Sequence, residues 1–349
     1  MTILPFDAEP PPRRWGPDHD RLHRHLLRQP NLLPRGASLL LATSGGQDSM
    51  ALTALTRDLR SLHGWTLYLW HGDHGWRSDA PAQARALAAW AEGEGFSLVV
   101  QRAEPPPATE AEARLWRYRC LHQHAEAIGC HHVVTAHTAT DRAETVVLNL
   151  ARGCHRRGLA APRADRPLAE NLRLVRPLLP FSRDDTARIC RDMELPVWVD
   201  PSNADLRFSR NRVRAEILPV LEALHPGATG RISDLAERLA LEDEQTDELL
   251  DLALKALTAV ATEEGTAALA RRPLARLQLA NQRRVVQQWL RLHWGRTLNA
   301  RDLDQLLARL GPERGPGRQD LARGWHLRWD GCSLLLIPPH PPPTHGPFP

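Results

Sequence analysis

The sequence predicts an α/β protein, in which a parallel sheet in the first half of the chain is followed by a mainly helical second half. Between residues 38 and 150, short apolar runs alternate with longer segments of helical periodicity. After residue 210 the helical spacing continues, and no strand pattern returns before residue 325. Because crossover connections are right-handed, such alternation gives a parallel sheet covered on both faces. We therefore expect ligands at the carboxyl ends of its strands.

The elements follow from the spacing of apolar residues. A helix is predicted over 18–28, where Leu22, Leu26 and Leu27 share one face. Strands are then predicted over 38–43, 66–70, 96–101 and 132–136, and helices over 50–59, 79–94, 110–128 and 141–150. The second half ends in a hairpin pattern over 325–337 around Asp330-Gly331, and the Pro-rich residues 338–349 predict a disordered tail.

Composition excludes several classes of protein. The chain has 349 residues and a net charge of +4, and no apolar run approaches the ~18 residues of a membrane span. Five cysteines form no C-x-x-C pair, which argues against a disulfide framework or a metal cluster and favours a cytoplasmic location. Only one of the 45 Lys and Arg residues is a lysine, Lys255, and it follows a leucine. A Walker-type phosphate loop requires Gly-Lys, so this class is excluded.

A glycine-rich turn separates the first strand from its helix. The turn reads Ser44-Gly45-Gly46-Gln47-Asp48-Ser49. Two glycines let backbone N–H groups approach a phosphate, and the helix N-terminus adds partial positive charge. The serine hydroxyls can donate hydrogen bonds, and Asp48 can hold Mg²⁺ on the phosphate oxygens. The alternative is a turn with capping serines. The full string in strand–turn–helix context favours phosphate binding.

This turn resembles the S-G-G-x-D-S signature of the PP-loop ATP pyrophosphatase superfamily, whose members have a Rossmann-like, adenine nucleotide α-hydrolase-like domain. Four further stretches are similar to those of its tRNA(Ile)-lysidine synthetase family. They are residues 71–78 (HGDHGWRS), 112–118 (EARLWRY), 135–145 (TAHTATDRAET) and 200–214 (DPSNADLRFSRNRVR). Two departures stand out: Thr140 where the family carries Asp, and Cys154-His155 where it carries Ser-Gly.

The resemblance implies an ATP-dependent reaction in two steps on tRNA(Ile) with a CAU anticodon. ATP adenylates the C2 oxygen of the wobble cytidine, and free L-lysine then displaces AMP to give lysidine, which changes codon reading from AUG to AUA. It implies ATP and Mg²⁺ as cofactors, with the whole 44–49 loop, His74 and Arg77 at the nucleotide and Asp48 at the metal.

The remaining site residues divide between chemistry and RNA binding. Asp141 and Glu144 lie three residues apart at a helix start, so they share a face and suit an amine. Their alternative role is to offset the helix dipole. His137 and Arg114 are expected beside the reacting groups. A basic surface for tRNA is expected from Arg152, Arg156, Arg157, Arg207, Arg210, Arg212 and Arg214.

We accordingly divide the chain into an N-terminal extension (1–35), a PP-loop ATP-binding catalytic domain (36–215), a helical tRNA-binding domain with a small β element (216–337) and a tail (338–349). A homodimer is left open, and no membrane partner is expected. Two alternatives also stay open: a PP-loop tRNA thiolation enzyme, for which Cys154 is suggestively placed, and a catalytically weak tRNA-binding relative.

Overall fold

A computed structural model describes residues 15–154, 156–200, 205–259, 267–311 and 313–339. Residues 1–14, His155, Asn203 and the end of the predicted tail (340–349) lie outside the described residues. The chain divides into two compact units, 1–240 and 241–349. This division falls later than the predicted boundary at 215/216.

The first unit is built on a six-stranded sheet of order β3-β2-β1-β4-β6-β5. The first five strands of that order pair in parallel, which confirms the predicted parallel sheet, whereas β5 pairs antiparallel with β6. The sequence pattern does not predict β5 and β6. The strands are β1 (Ser38–Ala42), β2 (Thr66–Asp73), β3 (Leu98–Arg102), β4 (His132–Val134), β5 (Asp165–Ala169) and β6 (Leu172–Val175).

The helices of this unit precede, connect and follow the strands. They are α1 (Pro17–Arg28), α2 (Gln47–His63), α3 (Ala80–Gly93), α4 (Glu110–Ala127), α5 (Ala139–Arg152), α6 (Arg156–Leu159), α7 (Arg183–Asp192), α8 (Ser209–Arg212), a π-helical turn (Val213–Ile217), α9 (Leu218–Leu224) and α10 (Ala228–Leu257), which continues into the second unit.

The continuous apolar run of β1 reflects burial on both faces of the sheet. Leu39 and Leu41 pack in one core cluster with α2, while Leu40 packs in a second cluster with Trp70 and Leu121. A strand covered on both sides needs no polar alternation, as is typical of parallel sheets. This central position of β1 fixes the turn that follows it.

The segment after residue 205 packs against α5. Val213 and Leu218 form a buried cluster with Ala143 of α5. Because these contacts hold α8, the π-helical turn and α9 on the sheet domain, they belong with the first unit.

The second unit carries more β structure than the predicted hairpin. Strands β7 (Ala267–Ala270), β8 (Gly317–Asp320), β9 (His326–Trp329) and β10 (Ser333–Ile337) form an antiparallel sheet of order β7-β10-β9-β8. The β9–β10 pairing confirms the hairpin. Helices α11 (Arg271–Ala275), α12 (Leu279–Trp294) and α13 (Ala300–Arg309) complete the unit. Among the described helices, none is both long and apolar enough to span a bilayer.

Candidate active site at the carboxyl edge of the sheet

The 44–49 loop is a braced turn between β1 and α2. Gly45 has φ +84°, and a Cβ there would lie 3.1 Å from both Gln83 and Trp198, so only glycine fits without strain. The Ser49 hydroxyl accepts from the Ser44 amide at 3.1 Å and donates to the Gly46 carbonyl at 2.9 Å. Ser49 thus stabilises the loop from within. It hydrogen-bonds the loop backbone whose N–H groups were predicted to bind phosphate.

Asp48, on the first turn of α2, accepts hydrogen bonds from two residues at the start of α7. Arg183 donates to its carboxylate at 3.0 Å, and the Thr186 hydroxyl donates to its other oxygen. Burial, together with the negative charge of Asp141, raises the pKa of Asp48. The sequence did not predict Arg183 or Thr186 as site residues.

A cleft of about 240 Å³ opens beside the loop, lined by Ser44, His74, Arg77 and Arg117 among others. Burial lowers the pKa of His74, and its Nδ1 is buried without a hydrogen-bond partner among the described residues. Arg77 donates from Nε to Asp79 at 2.8 Å and lies 3.3 Å from Asp200. Both predicted nucleotide residues outside the loop, His74 and Arg77, therefore line the same cleft as Ser44.

The predicted His137, Asp141 and Glu144 lie at the end of β4 and on α5. His137 is hydrogen-bonded to Thr135 at 3.0 Å, and burial lowers the pKa of His137 to about 3. Asp141 accepts from the amide and hydroxyl of Thr138 at 2.8 and 2.9 Å, as a helix cap. Burial alone would raise the pKa of Asp141, but nearby positive charge and these hydrogen bonds lower it. Asp141 is therefore negatively charged, and its carboxylate takes part in the cap at the N-terminus of α5.

Glu144 is completely buried, and its carboxylate accepts hydrogen bonds from two arginines. Arg210 donates from Nε to one oxygen at 2.7 Å, and Arg214 donates from Nε to the other at 2.6 Å. Arg214 lies on the π-helical turn, a deviation that often marks functional sites. These two arginines, predicted for the tRNA surface, therefore point into the site.

The other predicted tRNA arginines lie on the surface. Arg207 pairs with Asp205 at 2.7 Å and Arg212 with Glu216 at 2.9 Å, both in exposed positions. Arg152, Arg156 and Arg157, at the end of α5 and on α6, are exposed as well.

The remaining predicted residue, Arg114, is exposed on α4 and stacks on Tyr118, with its Cζ 4.9 Å from the ring centroid. One departure from the family pattern now has a local explanation. The Thr140 hydroxyl accepts a hydrogen bond from the Arg183 amide at 3.1 Å, so it ties α5 to α7. Cys154 contacts Gly158, where an added Cβ would lie 2.8 Å from the Cys154 Cβ.

Comparison with known proteins identifies the class. A family model described as a PP-loop domain matches residues 20–221. Fold and loop thus define a PP-loop protein that uses ATP. A tRNA(Ile)-lysidine synthase of Parasynechococcus marenigrum is 48% identical over 330 residues, covering 93% of this chain and 96% of that protein. One of Prochlorococcus marinus is 42% identical over 338 residues, covering 95% and 98%. The chain belongs to the tRNA(Ile)-lysidine synthase family, a family of enzymes.

Among solved structures, the U34-tRNA thiolase NcsA from Methanococcus maripaludis with its [4Fe-4S] cluster superimposes with a TM-score of 0.53. The identity is 17%, and the match covers 63% of this chain and 78% of that chain, so it reflects a shared fold. No group of three or more His, Cys, Asp or Glu side chains in the described part of our chain is arranged to hold a metal.

Proposed function

We propose that this chain ligates the ε-amine of free lysine to C2 of the wobble cytidine in tRNA(Ile), at the expense of ATP. The observation that carries this is a hydrogen-bonded link between the phosphate loop and α5. The Arg183 side chain donates to Asp48 at 3.0 Å, and the Arg183 backbone amide donates at 3.1 Å to Thr140, the neighbour of Asp141. Asp48, which would activate the nucleotide, and Asp141, which would bind the amine, therefore serve the same reaction centre. The C2 oxygen attacks the α-phosphorus and pyrophosphate leaves; the amine next attacks C2, and AMP leaves.

The first step develops negative charge on phosphate. The 44–49 backbone and the N-terminus of α2 face that charge, and Arg77 lines the same cleft. Asp48 fits Mg²⁺, which is usually held by one or two carboxylates plus substrate phosphates rather than by an all-protein cage. Mg²⁺ bound there would supply charge neutralisation at the phosphate oxygens.

The second step needs a lysine amine that is held and then deprotonated. Asp141 is anionic and holds the ammonium. Glu144 is proposed to act through Arg210 and Arg214, whose positions it fixes. His137 stays neutral because burial lowers its pKa to about 3, so its imidazole can bond to substrate without adding repulsive charge. The Asp141 carboxylate accepts the proton as the amine is desolvated against C2 and attacks it.

The tRNA would approach over the exposed arginines Arg152, Arg156, Arg157, Arg207 and Arg212. Arginine is suited to bidentate phosphate contacts, so tRNA affinity should fall steeply with salt. A homodimer stays a prediction, to be tested by sedimentation. The cytoplasmic location also stays a prediction, and the five free cysteines support it.

The proposal is tested with ATP, radiolabelled lysine and tRNA(Ile) transcripts carrying C or U at the wobble position. Label entering only the C transcript, with one AMP released per lysine, is the expected result. AMP release without lysine incorporation would favour the thiolation enzyme or the weak RNA-binding relative. Label entering both transcripts would contradict modification of the wobble cytidine.

A further inference from the structure

Four arginines gather around one tyrosine on the sheet domain. Arg114 and Arg117 of α4 and Arg166 of β5 have their Cζ atoms 4.9, 5.5 and 5.0 Å from the ring centroid of Tyr118. Arg176, which directly follows β6, interacts electrostatically with Tyr118 and with two of these arginines. We call these five residues the Tyr118 cluster.

The positive charge of the Tyr118 cluster is not balanced within the described residues, where none of its four guanidinium groups forms an ion pair with a carboxylate. Arg176 is only 2% exposed, and burial lowers its pKa to about 10. Cation–π contacts offset part of the desolvation, but they neutralise no charge. A buried cation without a counter-charge is costly, so the cluster is suited to an anion.

Two buried polar groups of the Tyr118 cluster also lack a partner. Arg176 donates from Nη1 to the Arg163 carbonyl at 2.7 Å, yet its Nε has no hydrogen-bond partner among the described residues. The Tyr118 hydroxyl is likewise buried. The guanidinium groups of Arg117, Arg166 and Arg176 interact with it, but none makes a hydrogen bond of ordinary length and angle to it within the described residues. Such groups are rare in folded proteins and usually await a ligand or water. An anion with several oxygens would satisfy both.

The Tyr118 cluster borders the candidate active site on two sides. Arg117 lines the cleft that also contains Ser44 and His74. The charges of Arg117 and Arg176 both act on His137, beside the amine-binding Asp141. An anion bound here would therefore lie next to the reaction centre.

We propose that Arg117, Arg166, Arg176 and Tyr118 form a phosphate-binding site separate from the 44–49 loop. This proposal rests on the proposed function, which supplies two sources of phosphate: the polyphosphate of ATP and the RNA backbone near the wobble nucleotide. Three guanidinium groups with a phenol donor match the tetrahedral oxygens of either.

The experiment compares Arg166→Gln and Tyr118→Phe with the wild type. Both positions are less buried than Arg176, whose replacement could unfold the protein. Arg173→Gln is the matched control, because it removes the same charge from β6, where Arg173 is exposed and paired with Asp165. Two quantities are measured: the Kd for inorganic pyrophosphate and ATP, and the Kd for tRNA between 50 and 200 mM salt, by filter binding.

A backbone phosphate predicts that Arg166→Gln weakens tRNA binding about tenfold and lowers the slope of log Kd against log salt by about 0.7, with ATP binding unchanged. A nucleotide phosphate predicts the same loss for ATP and pyrophosphate, with tRNA binding unchanged. Tyr118→Phe should shift the same ligand by a smaller factor. The proposal is overturned if both variants stay within about twofold of Arg173→Gln for every ligand. Lysine incorporation by the wild type is scored separately, so failure of the proposed function is distinguishable from failure of this site.

Discussion

The buried Glu144 offers the sharpest test of how the site is held together. In Glu144→Gln the side chain keeps its shape but loses the charge that balances Arg210 and Arg214. Removing one partner of a buried ion pair costs about 3–5 kcal/mol. The lower end applies, since the Arg210 side chain is 41% exposed and the new amide oxygen still accepts a hydrogen bond. A loss of about 3 kcal/mol corresponds to a fall in Tm of about 6–12 °C for a unit of this size.

Thermal unfolding, monitored by circular dichroism, measures this loss of stability. The KM for lysine reports whether lysine binding at the site is altered. Arg210 and Arg214 already lie 3.4 and 3.9 Å from an oxygen of Asp141. We expect KM to rise, because without the charge of Glu144 they pair more closely with Asp141 and compete with the substrate ammonium. Glu216→Gln is the matched control. It breaks the exposed pair with Arg212, which salt and water screen, so Tm should not change. A Glu144→Gln protein that melts within about 2 °C of the control, with unaltered lysine KM, would refute the reasoning.

Three further predictions concern other buried groups. Asp48→Ala should abolish pyrophosphate release while tRNA is still retained on a filter; surviving turnover would mean that the metal assignment is wrong. His137 has a pKa of about 3 when folded against about 6.5 when unfolded, so the unfolded state binds more protons between these values, and stability is lost as pH falls below 6.5. Urea titrations of His137→Asn at pH 7.5 and 5.0 should show a weaker pH dependence than the wild type; equal dependence would contradict this. Arg142→Met removes a buried guanidinium that donates a hydrogen bond to the partly exposed Glu237 at 3.1 Å, and should lower the free energy of unfolding by about 2 kcal/mol. An unchanged urea midpoint would count against that role for Arg142.

Local patterns accounted for the parts of the fold that depend on local periodicity. The 44–49 loop, the first four strands and the position of His137 after β4 all follow from short stretches of sequence. Strand β5 was missed because it contains Pro167 and a register shift. Strand β6 was missed because Arg173 and Arg176 interrupt the apolar run that marked the similarly short β4.

The partners of the site residues could not be read from spacing. Asp48 meets Arg183 across 135 positions of sequence, and Glu144 meets Arg210 across 66. The residue types indicated the chemistry, but which charges neutralise each other depends on how distant helices pack. For this reason the positions of Arg210 and Arg214, hydrogen-bonded to the buried Glu144, differ from those of the surface arginines with which the sequence grouped them.

The hydroxyl of Thr140 links two helices that position the residues proposed for catalysis. Its bond to the Arg183 amide, with a second bond from the Ala139 amide to the Phe181 carbonyl at 2.7 Å, fastens the beginnings of α5 and α7 to each other. The helix that binds Asp48 and the helix that carries Asp141 are therefore joined directly at their first turns. In the proposed reaction, this link would keep the group that activates the base and the group that holds the amine at a fixed spacing through both steps.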